Sequence, residues 1–186
     1  MMAATFLRFF RGIAWLFTAA GSAQLACAQV VWDGSTSLAA SGLGGNTVNP
    51  GVVLSITTSA DHDFYSTAIV DNGIVNWSGG ALRSGNGGSI TNNAKWNDSA
   101  SGNYAYITGG IAPVFLNTIS GVYAKTAAGT TTFINPVSFY NDGLVNVANG
   151  ILEINGGGAN SVTGVFLTAA GATTRFSNSY SLAADS

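Results

Sequence analysis

Charge is what this chain has least of. Only 8% of its 186 residues are Asp, Glu, Lys or Arg, whereas ordinary soluble domains carry about a quarter. Six basic residues cannot form a patch able to neutralise a phosphate backbone, so a nucleic-acid partner is excluded. Scarcity of Lys, Glu and Arg also argues against the helix surfaces of a cytosolic α/β enzyme. Cysteine occurs once, at Cys27, so no disulfide framework exists. Proline occurs three times against 25 glycines, which gives many tight turns but no collagen period. Histidine also occurs once, at His62, and metal chemistry has little to build on.

In place of charge the chain uses Asn, Ser, Thr and Gly, together with 47% apolar residues. This composition suits repetitive extracellular β-structure, and the length suffices for one domain with a sizeable core.

Residues 1–28 read as a signal peptide. Met1 to Arg11 is short and positive, Gly12 to Ala20 is apolar, and Ala26-Cys27-Ala28 has the small-x-small form of a cleavage site. The apolar run is about half of the ~20 residues that a spanning helix needs. Lipid attachment at Cys27 is the alternative, but Leu25 stands one position too close to the cysteine for the usual pattern. Cleavage after Ala28 leaves four basic residues, Arg83, Lys95, Lys125 and Arg175, against eight acids.

A repeat runs through the remainder. A polar turn residue, a small residue, any residue and a large apolar one recur as Asn72-Gly73-Ile74-Val75, Asn93-Ala94-Lys95-Trp96, Ser120-Gly121-Val122-Tyr123, Asp142-Gly143-Leu144-Val145 and Thr163-Gly164-Val165-Phe166. The large residues lie 21, 27, 22 and 21 apart, with a weaker copy ending at Val53, 22 before the first. A second marker keeps step: Gly80, Gly102, Gly129, Gly150 and Gly171 each precede a β-rich stretch. About seven residues make one strand and its turn at ~3.3 Å per residue. A 21-residue period therefore holds two or three short strands and is too short for a βαβ unit.

The expected fold is all-β: a right-handed parallel β-helix (β-solenoid) with coils of about 21–22 residues over 50–186, incomplete at its C-terminus. Residues 29–49 are expected to form an N-terminal cap. Because a single coil cannot bury its inward side chains, coils stack. Val75, Trp96, Tyr123, Val145 and Phe166 should form one column, and Val75 and Trp77, or Val147 and Val145, should share a strand face. Asn72, Asn93, Asn141, Asn146 and Asn149 are candidates for asparagine ladders at corners. The 27-residue step implies a loop around Gly109 to Pro113.

From Asp71 to Phe176 the runs DNGIVNWSGGALRSGNGGSITNNAKWN, GTTTFINPVSFYNDGLVNVANGILEINGGG and TGVFLTAAGATTRF resemble the strand-rich repeats of bacterial autotransporter passenger and filamentous-haemagglutinin-like adhesin proteins. The resemblance implies a right-handed parallel β-helix, export, and adhesion or surface architecture at the outer membrane. It implies as partners host or matrix glycans or proteins, or further solenoid repeats. A C-terminal membrane barrel with aromatic girdles is not seen.

Chemistry is sparse. Asp61-His62-Asp63 is the one cluster of catalytic residue types, but neighbours on a strand point to opposite faces, and a solvated turn is the expectation. Asp98, Asp142 and Glu153 are scattered, whereas glycosidases need paired carboxylates. Glu153 and Arg175 should form a surface ion pair. The glycine clusters lack the Asp of calcium-binding solenoid repeats and the Lys-Ser/Thr of a phosphate loop. Trp77, Trp96, Tyr104 and Tyr106 are expected in the core. The expected function is therefore a non-catalytic, exported structural or adhesive segment, with no catalytic, cofactor or metal residues. The rival readings are a carbohydrate-active β-helix enzyme, of lyase or glycosidase type, and a carbohydrate-binding module.

Overall fold

The computed structural model describes residues 27–184, apart from Thr36 and Thr108. It is a parallel β-solenoid of about seven turns, with three sheets running its length. We number the sheets I, II and III in the order each coil visits them. The fifth coil shows the plan: Val122–Lys125 in sheet I, Thr130–Phe133 in sheet II and Ser138–Asn141 in sheet III. Sheets I and III have seven strands each and sheet II has six. The signal-peptide reading falls almost wholly outside the described residues.

Alternation generates the walls of this tube. Strands such as Ile74–Trp77, Leu144–Val147 and Ile151–Ile154 alternate half-buried and buried positions, which is the period-2 signature of one face turned inward. The inward face is apolar, and stacking hides it, since each coil covers the next.

The expected column exists. Val75 pairs with Trp96, Trp96 with Tyr123, Tyr123 with Val145 and Val145 with Phe166. Its lower end differs by one residue from the sequence reading: Leu54, not Val53, pairs with Val75, and Val30 lies beneath Leu54. A one-residue slip exchanges the faces of a strand, and Val53 accordingly lies opposite Ile74 on the outer side.

Residues 29–49 contribute to the first coil. Ala28–Val31 pairs in register with Val52 to Ser55, and Thr47–Val48 pairs with Val70 and Asp71. Among the described residues sheet II has no strand in this coil. Buried Trp32 and Leu38 take its place, the latter on a short 3-10 turn at Leu38–Ser41. Trp32 meets His62 edge-on, with ring centroids 4.9 Å apart, so this end of the core is sealed.

The long fourth step is spread over three places rather than concentrated in one loop. Tyr106 to Val114 spans eight positions where the paired Ser84 to Ser89 spans five. Asn117 to Val122 spans five where Asn92 to Lys95 spans three. Trp96 to Tyr104 is one longer than Val75 to Leu82. The loop expected around Gly109 to Pro113 is thus the largest of three insertions. All lie outside the strands, so the column register survives them.

Aromatic contacts cross the interior as well as climbing it. Phe115 of sheet III stacks on Phe139 of the next coil at 5.2 Å and 3°. It meets Trp96 and Tyr123 of sheet I and Phe133 of sheet II edge-on. Such pairs add about 0.5–1.5 kcal/mol each beyond the burial of their area.

Candidate functional site

The corner between sheets III and I is built from a column of buried asparagines. Asn92 donates from Nδ2 to Asn117 Oδ1 at 2.7 Å, Asn117 to Asn141 Oδ1 at 2.8 Å, and Asn141 to Asn160 Oδ1 at 2.7 Å. The column closes on the Gly164 carbonyl. Each Oδ1 is free to cap its own turn, as when Ala94 N–H donates to Asn92 and Gly143 N–H to Asn141. Of the residues expected in such ladders, Asn141 belongs to this column. Asn72 accepts from Asn93 in a second, partly exposed pair at 2.9 Å. Asn149 caps the Gly150 N–H, and Asn146 lies opposite Ala124 and Leu167 rather than another asparagine. Asn92, Asn117 and Asn160 were not anticipated.

A second polar group lies deeper. Asp98 and Lys125, on adjacent coils, face each other in the inward register of sheet I and are wholly buried. Asp98 accepts from Tyr123 Oη at 2.6 Å and from the Ala100 N–H at 2.9 Å. Lys125 Nζ donates to the Ala100 and Ala127 carbonyls at 2.9 and 2.8 Å. Burial pushes the Asp98 carboxyl up, and the Tyr123 hydrogen bond and the Lys125 charge oppose that rise. The Tyr123 hydroxyl, both Asp98 oxygens and Lys125 Nζ all bond to groups inside the protein, so the group braces the fold.

The Asp61-His62-Asp63 segment is not the solvated turn expected. His62 begins a strand of sheet II and points inward, fully buried, with Nε2 3.1 Å from the Trp32 carbonyl oxygen. Burial holds its pKa below the usual imidazole value. Asp61 and Asp63 point outward, as strand alternation requires. Arg83 bridges them, at 2.6 Å to Asp61 and 2.7 Å to Asp63. The imidazole and the two carboxylates therefore lie on opposite sides of the sheet and cannot act together.

The remaining candidates separate likewise. Asp98 is interior, whereas Glu153 lies on the outer face of sheet II, 3.6 Å from Arg175. Trp77, Trp96 and Tyr104 are core, and Tyr106 is half-buried with its hydroxyl on the Gly110 carbonyl. Of the exposed tyrosines, Tyr65 is 42% and Tyr140 40% accessible. They stand three coils apart, roughly 14 Å at the usual strand spacing, so they do not form a row for stacking sugars. Among the described residues no group of three His, Cys, Asp or Glu gathers, and no helix is long and apolar enough to cross a membrane. Cys27 is exposed at the start of the described chain.

The surface best suited to a partner is the open face of the seventh coil. Among the described residues its strands Val165–Thr168, Thr173–Phe176 and Tyr180–Leu182 each pair on one side only. Inward positions that are buried in earlier coils, Phe166, Phe176, Tyr180 and Leu182, are partly or fully exposed here. Phe166, Phe176 and Leu182 line, with Asn160 and Val165, a cavity of about 240 Å³. Phe176 stacks on Tyr180 at 4.5 Å and both meet Phe166 edge-on, so the face is a preformed apolar platform ringed by unpaired backbone groups. No family model, no curated protein and no solved structure matches the chain.

Proposed function

We propose that this chain is a non-catalytic structural or adhesive β-solenoid segment, exported and displayed at a bacterial surface, as its likeness to autotransporter passenger and haemagglutinin-like repeats implies. The observation that carries this reading is the lateral surface. Along sheet I the outward positions run Ile74, Lys95, Val122, Leu144 and Asn76, Asn97, Asn146, with buried Ala124 between the last two, a flat wall of short aliphatic and amide groups with one charge. On sheet II the outward acids Asp61, Asp63 and Glu153 are held by arginines. Flat walls of this kind suit lateral contact with extended partners, while the open seventh coil suits stacking of a further solenoid coil by the strand pairing that joins every pair of coils below it.

The test has two parts. Antibody labelling and protease shaving of intact cells should find the chain outside, and a chain confined to the cytoplasm would defeat the proposal. The purified chain should bind immobilised matrix proteins or glycans without turnover. Degradation of a polysaccharide that is lost in Asp61→Asn or Asp63→Asn would replace this reading with the enzyme.

A further inference from the structure

The asparagine column has a direction, and its first member is not an asparagine. Each amide donates from Nδ2 toward the following coil, so each Oδ1 faces the coil before it. One coil below Asn92, the strand register places Asp71, also fully buried. Its Oδ1 caps the turn by accepting from the Gly73 N–H at 2.9 Å, as the asparagines cap theirs. Its Oδ2 is buried without a partner. An ionised carboxylate here would leave a charged oxygen buried with no donor to satisfy it.

We propose that Asp71 enters the fold as a neutral carboxylic acid whose Oδ2–H donates to Asn92 Oδ1, making the corner that joins the second coil to the third a latch closed by acid and released toward neutral pH. The proton comes from solvent and returns to it; no other bond changes. The elements packed against Asp71 present Val48 below, Asn92 above and the Asn72-Gly73 turn beside it, none of which titrates, and no charged side chain acts on it. Burial accordingly raises its pKa to about 6, with only the Gly73 hydrogen bond opposing the rise. An ordinary aspartate titrates near 3.9, and a shift of about two units changes an opening equilibrium about a hundredfold. The folded corner holds the proton that the open corner gives up, so stability here is greatest below about pH 4 and is lost as pH rises to about 6.

The carboxyl carbon of Asp71 in the full chain, followed by NMR, should titrate near pH 6; a midpoint at or below about 4 would overturn the assignment. Amide exchange at Gly73 and Ala94, corrected for intrinsic rate, should speed by about fiftyfold between pH 4 and 7 in the natural chain. In Asp71→Asn, whose amide donates at every pH, it should stay level. Equal acceleration in both proteins would also overturn it. The carboxyl titration needs only the natural chain, so it decides the matter even if the variant folds poorly.

Discussion

Tyr123 Oη donates to Asp98 Oδ2 at 2.6 Å from the next coil, and both groups are sealed from water. Tyr123 also belongs to the central apolar column, between Trp96 and Val145. One side chain thus fills the core with its ring and satisfies a buried acid with its tip. Tyr123→Phe removes only the tip. It should lower unfolding free energy by about 1.5–3 kcal/mol, the range for a hydrogen bond to a charged or strongly polarised group. Denaturant titration measures it, and a cost under about 0.5 kcal/mol would mean that Asp98 finds another donor.

The asparagine column invites a comparison of inside with outside. Asn117 is fully buried and both accepts from and donates to its neighbours, whereas Asn97 donates to Asn76 on the outer wall. Asn117→Ala removes two buried links of the column, leaving Asn92 Nδ2 with only the Val122 carbonyl and Asn141 Oδ1 with only the Gly143 N–H, and should cost about 2–4 kcal/mol. Asn97→Ala exposes its partner to solvent and should cost under about 1 kcal/mol. Thermal melts of the two variants side by side give the ratio.

Gly150 turns the chain from sheet I to sheet II with φ at +71°, and a Cβ there would meet the Gly129 carbonyl oxygen and, at 2.5 Å, that of Ala127. Gly150→Ala combines a left-handed backbone penalty with backbone crowding and should cost about 1–3 kcal/mol. The same exchange at Gly171, also left-handed at +83° but with open space around it, should cost only about 1 kcal/mol. Chemical denaturation separates strain from crowding.

His62 gives a second pH response, opposite in sign to that of Asp71. Its folded pKa lies below the ordinary imidazole value because of burial, so its neutral ring is favoured by folding. That contribution is fully present above about pH 6.5 and is lost as pH falls through the unfolded pKa toward the folded one. His62→Phe keeps an aromatic edge against Trp32 and removes the titration. The stability difference between variant and natural chain should shift in favour of the variant as pH is lowered from 7.5 to 5.5. A constant difference would mean that His62 charges without penalty.

How much of this was legible depended on which local pattern stayed constant. The column from Val75 to Phe166 could be read because a polar turn residue and a small one stand three and two positions before each large residue, whatever the length of the corner that leads into them. Sheet III was invisible, although its column Ile69, Ile90, Phe115, Phe139 holds the centre of the aromatic core. Its steps are 21, 25, 24 and then 19 to Gly158, and no period survives that drift. Asn92 and Asn93 are adjacent, and only the phase of the strand decides that the first is buried and the second is not. Val53 and Leu54 posed the same choice. Asp98 and Lys125 sit where strand alternation points inward, yet charged residues are almost never fully buried unless paired, and composition gave no hint of the pairing across coils. At Asp61 to Asp63 alternation did separate ring from carboxylates; what it could not show was Trp32, thirty residues earlier, covering the ring.

The two ends of the tube differ: Trp32 and Leu38 shut one, while Phe176 and Leu182 stand open at the other. Because each coil is held only by its neighbours, loss of structure has a preferred direction. Wherever no further coil covers Phe176 and Leu182, heat or pulling force should peel the seventh coil first and travel back toward Trp32, so that the molecule unravels like a spring released from one end, with exchange at Thr173–Phe176 far ahead of exchange at Leu82–Ser84.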